Sequence, residues 1–144
     1  MKKMMQRFKN ERGITLVELL AVVVILAIIG TIAFVLIGNV IENSKKDAHI
    51  VNAQQMISAA KLYEADGNEI GSGVSAEELE TADFLEPLIS PWDDFDYDAS
   101  DVTAEVTKEN TGVYKVELDG KNCDINEKEK ELLSKDCKEI CGED

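Results

Sequence analysis

Four groups of residues in this sequence have types and spacings that could do chemistry. The first is Glu18, four residues after Ile14 and five after Gly13, at the start of an apolar run. A carboxylate inside hydrocarbon is expensive unless it finds water or a cation at matched depth. At the headgroup level Glu18 would simply be hydrated. A free amine on Ile14 would be a matched cation if the chain were cut after Gly13. The second group is Cys123, Cys137 and Cys141. An odd number leaves at least one thiol unpaired within the chain. A bridge from Cys123 is expected, with Cys137 slightly ahead of Cys141 as partner. A straight helix over Asn126–Cys137 would hold those two sulfurs too far apart, so the segment must fold back. A zinc site built on the three thiols is not expected.

The third group is Asp94, Asp96 and Asp98 with Glu105, eleven residues after Asp94. These mimic part of a calcium loop. The sixth position, which needs glycine, is Ala99, and the flanks do not read as helices. The alternative is a half-buried strand with its acids in water. The expectation is no metal site, with these four residues as the calcium candidate. The fourth is His49, the one histidine of the chain. It stands among polar residues and reads as a solvated surface side chain. Gly71-Ser72-Gly73 lacks the Lys-Ser/Thr pair of a phosphate loop. No catalytic constellation emerges, so neither an enzyme nor a cofactor is expected.

The elements that position these residues follow from how charge is distributed. The 144 residues carry a net charge of −14 and a mean hydropathy of −0.15, which taken as averages describe a soluble acidic protein. Such acidity argues against nucleic-acid binding through a basic face. The average conceals three segments. Residues 1–13 hold five bases against Glu11 alone. Leu19–Ile41 then runs without a charge, with Thr31 and Asn39 its only polar members. As a helix those residues span roughly 34 Å, enough to cross a hydrocarbon core of about 30 Å. The run is too long for a secretory signal peptide, and no small-residue cleavage pattern follows it. A buried core helix would need a larger protein around it. The preceding basic cluster places the N-terminus in the cytoplasm and the C-terminus outside.

Helical periodicity continues past the apolar run. Ile50, Ala53, Ile57 and Ala60 recur at spacings of three and four, as do Met56, Ala59 and Tyr63. The first stop is Gly67-Asn68. One helix is therefore expected over 14–66, with 19–41 in the membrane. Residues 67–144 form an acidic head of net charge −16. There Ser75 to Leu79 reads as an N-cap and short helix, with Glu78 at the capping-box position. Val102, Ala104 and Val106 alternate, turn at Glu109–Gly112, and are followed by Tyr114, Val116 and Leu118, a β-hairpin pattern. Phe95 and Tyr97 suggest a third strand. Asn126 to Ile140 reads as a charged helix with Leu132, Leu133 and Ile140 on one side.

The basic leader with Lys2, Lys3, Arg7, Lys9 and Arg12, then Gly13-Ile14-Thr15-Leu16-Val17-Glu18-Leu19-Leu20 and the long apolar run, resembles the type IV pilin and pseudopilin family. The resemblance covers about residues 1–66. Proteins of this kind are prepilins with a class III signal peptide. It implies cleavage between Gly13 and Ile14 by a prepilin peptidase, methylation of the new amine on Ile14, and a role for Glu18 in subunit assembly. It also implies an α+β fold, in which a long N-terminal membrane-spanning helix packs on a small antiparallel sheet in the shape of a lollipop. The implied partners are copies of the chain, other pilins, the inner-membrane assembly machinery and, before assembly, membrane lipid. A Gram-positive-type pilin, a competence pilin and a type II secretion pseudopilin all fit this description. Two departures stand out: Ile14 replaces the commoner Phe, and no Pro precedes Pro87, so the helix lacks the Pro that many pilins carry at the position of Val35. The reading from a different class is a single-pass membrane anchor presenting a small acidic extracellular binding domain.

Overall fold

The structure, a computed structural model, describes residues 2–142, with side chains from Thr15 onward. The described chain divides into two compact units, one up to Ile41 and one from Glu42. Helix α1 (Lys2–Ala65) makes up the first unit and provides the first element of the second. No Pro or charge interrupts its apolar part, and its side chains there are exposed on all faces.

α1 ends where the sequence places a stop. Gly67 adopts φ +98°, a left-handed conformation that costs a glycine little. Its N–H donates to Glu64 O and the Asn68 N–H donates to Tyr63 O, the paired bonds of a Schellman cap. These bonds satisfy carbonyls that the last helical turn would otherwise leave without partners.

In the second unit, β1 (Val74–Ser75), β2 (Ala104–Lys108), β3 (Tyr114–Leu118) and β4 (Ile125–Lys128) form an antiparallel sheet in that order. The expected hairpin is β2–β3, with Val106 opposite Val116. Its turn is closed by Glu109 N–H to Val113 O and Gly112 N–H to Glu109 O. The 42–65 part of α1 lays one stripe on this sheet. Ile50, Ala53, Met56, Ile57, Ala59 and Ala60 are buried with Val74, Val106, Val116, Leu118 and Ile125 in one core. At the far end of the stripe, Glu64 accepts from Lys108 Nζ (2.5 Å) and from the Tyr114 hydroxyl, tying the helix to the hairpin. Lys108 holds the Glu64 carboxyl below its usual range, with Tyr114 adding to the effect. The layout is α+β and pilin-like, as expected.

Short helix α2 (Ala76–Thr81) begins at Ser75, whose Oγ accepts from the Glu78 N–H. Half of the expected capping box forms. The Glu78 carboxylate accepts instead from the Tyr63 hydroxyl (3.3 Å).

Two expectations are corrected. Phe95 and Tyr97 form no strand. Phe95 N–H bonds back to Trp92 O, and Asp98 N–H donates to Asp96 Oδ1. Such local bonds take the place of a ladder. Nor is Asn126–Ile140 one helix. Ile125 pairs with Leu118 as the first residue of β4, and α3 (Glu129–Ser134) follows. Lys135 is then extended, and Asp136 caps a separate α4 (Cys137–Cys141) by accepting from the Lys138 and Glu139 N–H groups. A buried ladder position for Ile125 and a second N-cap at Asp136 outweigh the helical pattern between them.

Candidate functional site: the N-terminal segment of the long helix

The sequence expectation rests on Gly13, Ile14 and Glu18. Gly13 and Ile14 lie outside the residues whose side chains are described. Glu18 is described. It is exposed on α1 with Leu16, Val17, Leu19 and Leu20 exposed around it. It is the only charged side chain between Gly13 and Glu42.

The surroundings of Glu18 set its chemistry. None of the apolar window of α1 is buried within this chain. A helix apolar on every face must be covered by lipid or by other helices. In such a setting backbone polar groups are satisfied along the helix itself. Thr31 follows the same rule, its Oγ donating to Ala27 O (2.8 Å). Glu18 cannot, because an ionised carboxylate only accepts, and helix N–H groups are already used. A carboxylate at this position needs water or a cation brought to the same depth.

The remaining predicted residues fall elsewhere. Cys123 is bonded to Cys141, with Cα atoms 4.6 Å apart, and Cys137 is a half-buried free thiol. The pairing that the spacing slightly favoured, Cys123 with Cys137, is therefore corrected. The chain does fold back, but through β4, α3 and the break at Lys135, and this delivers the end of α4 to Cys123. Burial raises the Cys137 thiol pKa above its usual range, with Asp47 beside it adding to the effect. The calcium candidates are not gathered. Asp94 pairs with Lys121. Asp96 caps its own turn. Glu105 sits in β2 opposite Ser75, filling the space that Gly73 leaves by having no side chain. Among the described residues, no group of three or more His, Cys, Asp or Glu is placed to hold a metal ion.

The sequence reading missed a row of polar fastenings on α1, buried at His49 and half-buried at Glu42 and Asn52. His49 is fully buried rather than solvated. Its Nδ1 meets the Tyr97 hydroxyl at 2.6 Å and its Nε2 meets Leu118 O at 3.3 Å. Asn52 Nδ2 donates to Ile89 O (3.0 Å) and to the Tyr97 hydroxyl (3.1 Å). Glu42 Oε1 accepts from Trp92 Nε1 (3.0 Å) and Asn122 Nδ2 (2.7 Å). Asn122 and then Trp92 hold the Glu42 carboxyl below its ordinary pKa. Three positions of one helix thus fasten the irregular 89–97 segment. A signal for His49 was present: stepping back four residues from Ala53 in the Ala53, Met56, Ala60 stripe lands on it.

No curated protein and no solved structure matches this chain. Residues 8–34 match the prokaryotic N-terminal methylation motif, a stretch that contains Gly13, Ile14 and Glu18 and the first half of the apolar run. With that motif on an exposed apolar helix, the chain carries the class III signal of type IV pilins and pseudopilins.

Proposed function

We propose that this chain is a structural subunit of a type IV pilus or pseudopilus filament. It is made as a prepilin with a leader over residues 1–13, a helical handle over 14–66 and an acidic head over 67–144. The observation that carries this reading is Glu18: one carboxylate, at the start of 23 uncharged residues, inside the matched motif. Cleavage between Gly13 and Ile14 by a prepilin peptidase creates an amine four residues before that carboxylate. Methylation leaves the Ile14 amine cationic.

Before assembly the handle crosses the membrane through 19–41, with the N-terminus cytoplasmic. After assembly the filament lies outside the cell surface. Removing these helices from lipid into a bundle of copies leaves Glu18 in a low-dielectric setting. There a charge-assisted pair with a neighbouring Ile14 amine satisfies both groups and fixes the stagger between subunits. The partners are copies of the chain, other pilins and the membrane assembly machinery. The net charge of −16 on the head disfavours direct nucleic-acid capture by this subunit. The proposed role is structural, not catalytic.

Glu18→Val in the native host tests the assembly step. The variant is expected to be cleaved normally and to accumulate in the membrane, with sheared surface filaments lost. Filaments at the unmutated yield would overturn the role given to Glu18.

A further inference from the structure

His49 joins three parts of the second unit through a hydrogen-bond chain with one direction. Leu118 O can only accept, so His49 Nε2 carries a hydrogen and donates to it. Asn52 Nδ2 donates to the Tyr97 oxygen, and that hydroxyl donates to His49 Nδ1. Every step is satisfied when the imidazole is neutral with its hydrogen on Nε2. A second proton on Nδ1 would face the hydrogen of Tyr97, itself buried. Tyr97 would have to turn that hydrogen away from its acceptor.

The ring has no room to escape. It stacks on Tyr97 with centroids 5.6 Å apart and meets Trp92 edge-on at 5.3 Å. On the remaining side, even a Cβ added at Gly120 would fall 2.7 Å from His49 Nε2. The charged groups around it are Lys45 and the buried Lys46 on the preceding turn of α1, and Asp119 and Asp124 beyond β3. The two acids favour an imidazolium, as do the Leu118 and Cys123 carbonyls. Both acids are engaged, Asp119 by Thr103 N–H (2.8 Å) and Asp124 by Gly120 N–H (3.2 Å). Burial outweighs them all and holds the His49 pKa below its ordinary value.

We propose that His49 is an acid-operated latch on the 89–97 segment. Neutral, it completes the chain from Asn52 through Tyr97 to Leu118; protonated, it breaks that chain and releases the segment from α1. The segment has no helix or strand of its own, and α1 side chains fasten it together with the buried Trp92 and Tyr97 and the Asp94–Lys121 pair. The Glu42 carboxyl, held below its ordinary pKa first by Asn122 and then by Trp92, is a separate fastening of Trp92. The inference stands on the second unit alone and does not depend on filament assembly.

The chain contains one histidine and one tryptophan, and Trp92 lies in the latched segment, so both ends can be read without ambiguity. In the full chain held in detergent micelles, nitrogen-resolved NMR should show His49 in the Nε2–H form at pH 7.5. Its midpoint should fall below 6.5, the ordinary imidazole value. Trp92 emission should shift toward that of a solvated indole with the same midpoint. In His49→Gln, which cannot titrate here, the emission should stay flat between pH 7.5 and 5. An Nδ1–H tautomer, a midpoint at or above 6.5, or Trp92 emission unmoved as His49 protonates would each overturn the latch. So would an unchanged pH response in His49→Gln. If that variant does not fold, the two wild-type titrations decide alone.

Discussion

The two halves of α1 share one backbone conformation and have opposite relations to the rest of the chain. Up to Ile41 the side chains from Thr15 onward are almost all exposed, and nearly all are apolar. From Glu42 the helix buries a stripe against its own sheet and spends polar side chains on the loops and strands of the same unit. The contrast separates two kinds of information in one helix. The second half specifies how the chain folds. The first half contributes little to that, because its surface is satisfied only by something outside the chain. On the proposed function, chemistry on the first half is between molecules, and Glu18 is its one charged side chain from Ile14 to Ile41.

Substitutions can break or sharpen this contrast. The largest effect is expected in the core. Leu118→Ala removes a fully buried side chain and should cost about 2–5 kcal/mol of head stability by chemical denaturation followed at Trp92. Ile28→Ala, on the exposed half, should change the same measurement by less than about 0.5 kcal/mol. Equal losses from the two would erase the distinction between the halves.

Next comes the crosslink. Reducing Cys123–Cys141, 18 residues apart, should lower stability by about 3 kcal/mol. Peptide mapping should find Cys137 as the thiol that alkylates before reduction. Cys137→Ser should leave the reductant sensitivity in place, and losing that sensitivity would reassign the bridge.

A smaller loss is expected from Glu42→Ala, which removes the acceptor of two hydrogen bonds, one from Trp92 on the irregular segment and one from Asn122 between β3 and β4. About 1–3 kcal/mol is the scale for bonds to a charged acceptor. The pH signature has a definite sign. Because the folded pKa of Glu42 is depressed, its contribution is present above its ordinary value of 4.5. That contribution is lost as pH falls through the folded value. The difference between wild type and Glu42→Ala should therefore shrink in acid.

The smallest effect is expected at the exposed pair Lys128–Glu109, 2.8 Å apart. Lys128→Ala should leave stability nearly unchanged, and added salt should diminish even the small difference.

What the sequence made legible was local. The buried stripe from Ile50 to Ala60, the Gly67-Asn68 stop and the Val106/Val116 hairpin each follow from a period or turn within a few residues. Glu18 stood out for a similar reason, as a single charge against a uniform background. The failures share a different cause. Ile125 is a strand residue because Leu118 waits beside it. Tyr97 turns inward because His49 lies 48 positions earlier on the helix that covers it. The break at Asp136 decides which cysteine reaches Cys123, and a three-cysteine spacing holds no trace of that fold-back. His49 was misplaced because its neighbours in sequence are polar, while its neighbours in space are Trp92, Tyr97 and the end of β3.

The central claim is that the exposed half of α1 becomes an assembly element when a new N-terminus is made four residues before Glu18. Its most direct test is the intact mass of the protein purified from native-host membranes. The account predicts loss of residues 1–13 and the addition of one methyl group on Ile14. An uncut, unmethylated N-terminus in a host with an active prepilin peptidase would contradict it, and would leave a membrane anchor carrying an acidic head.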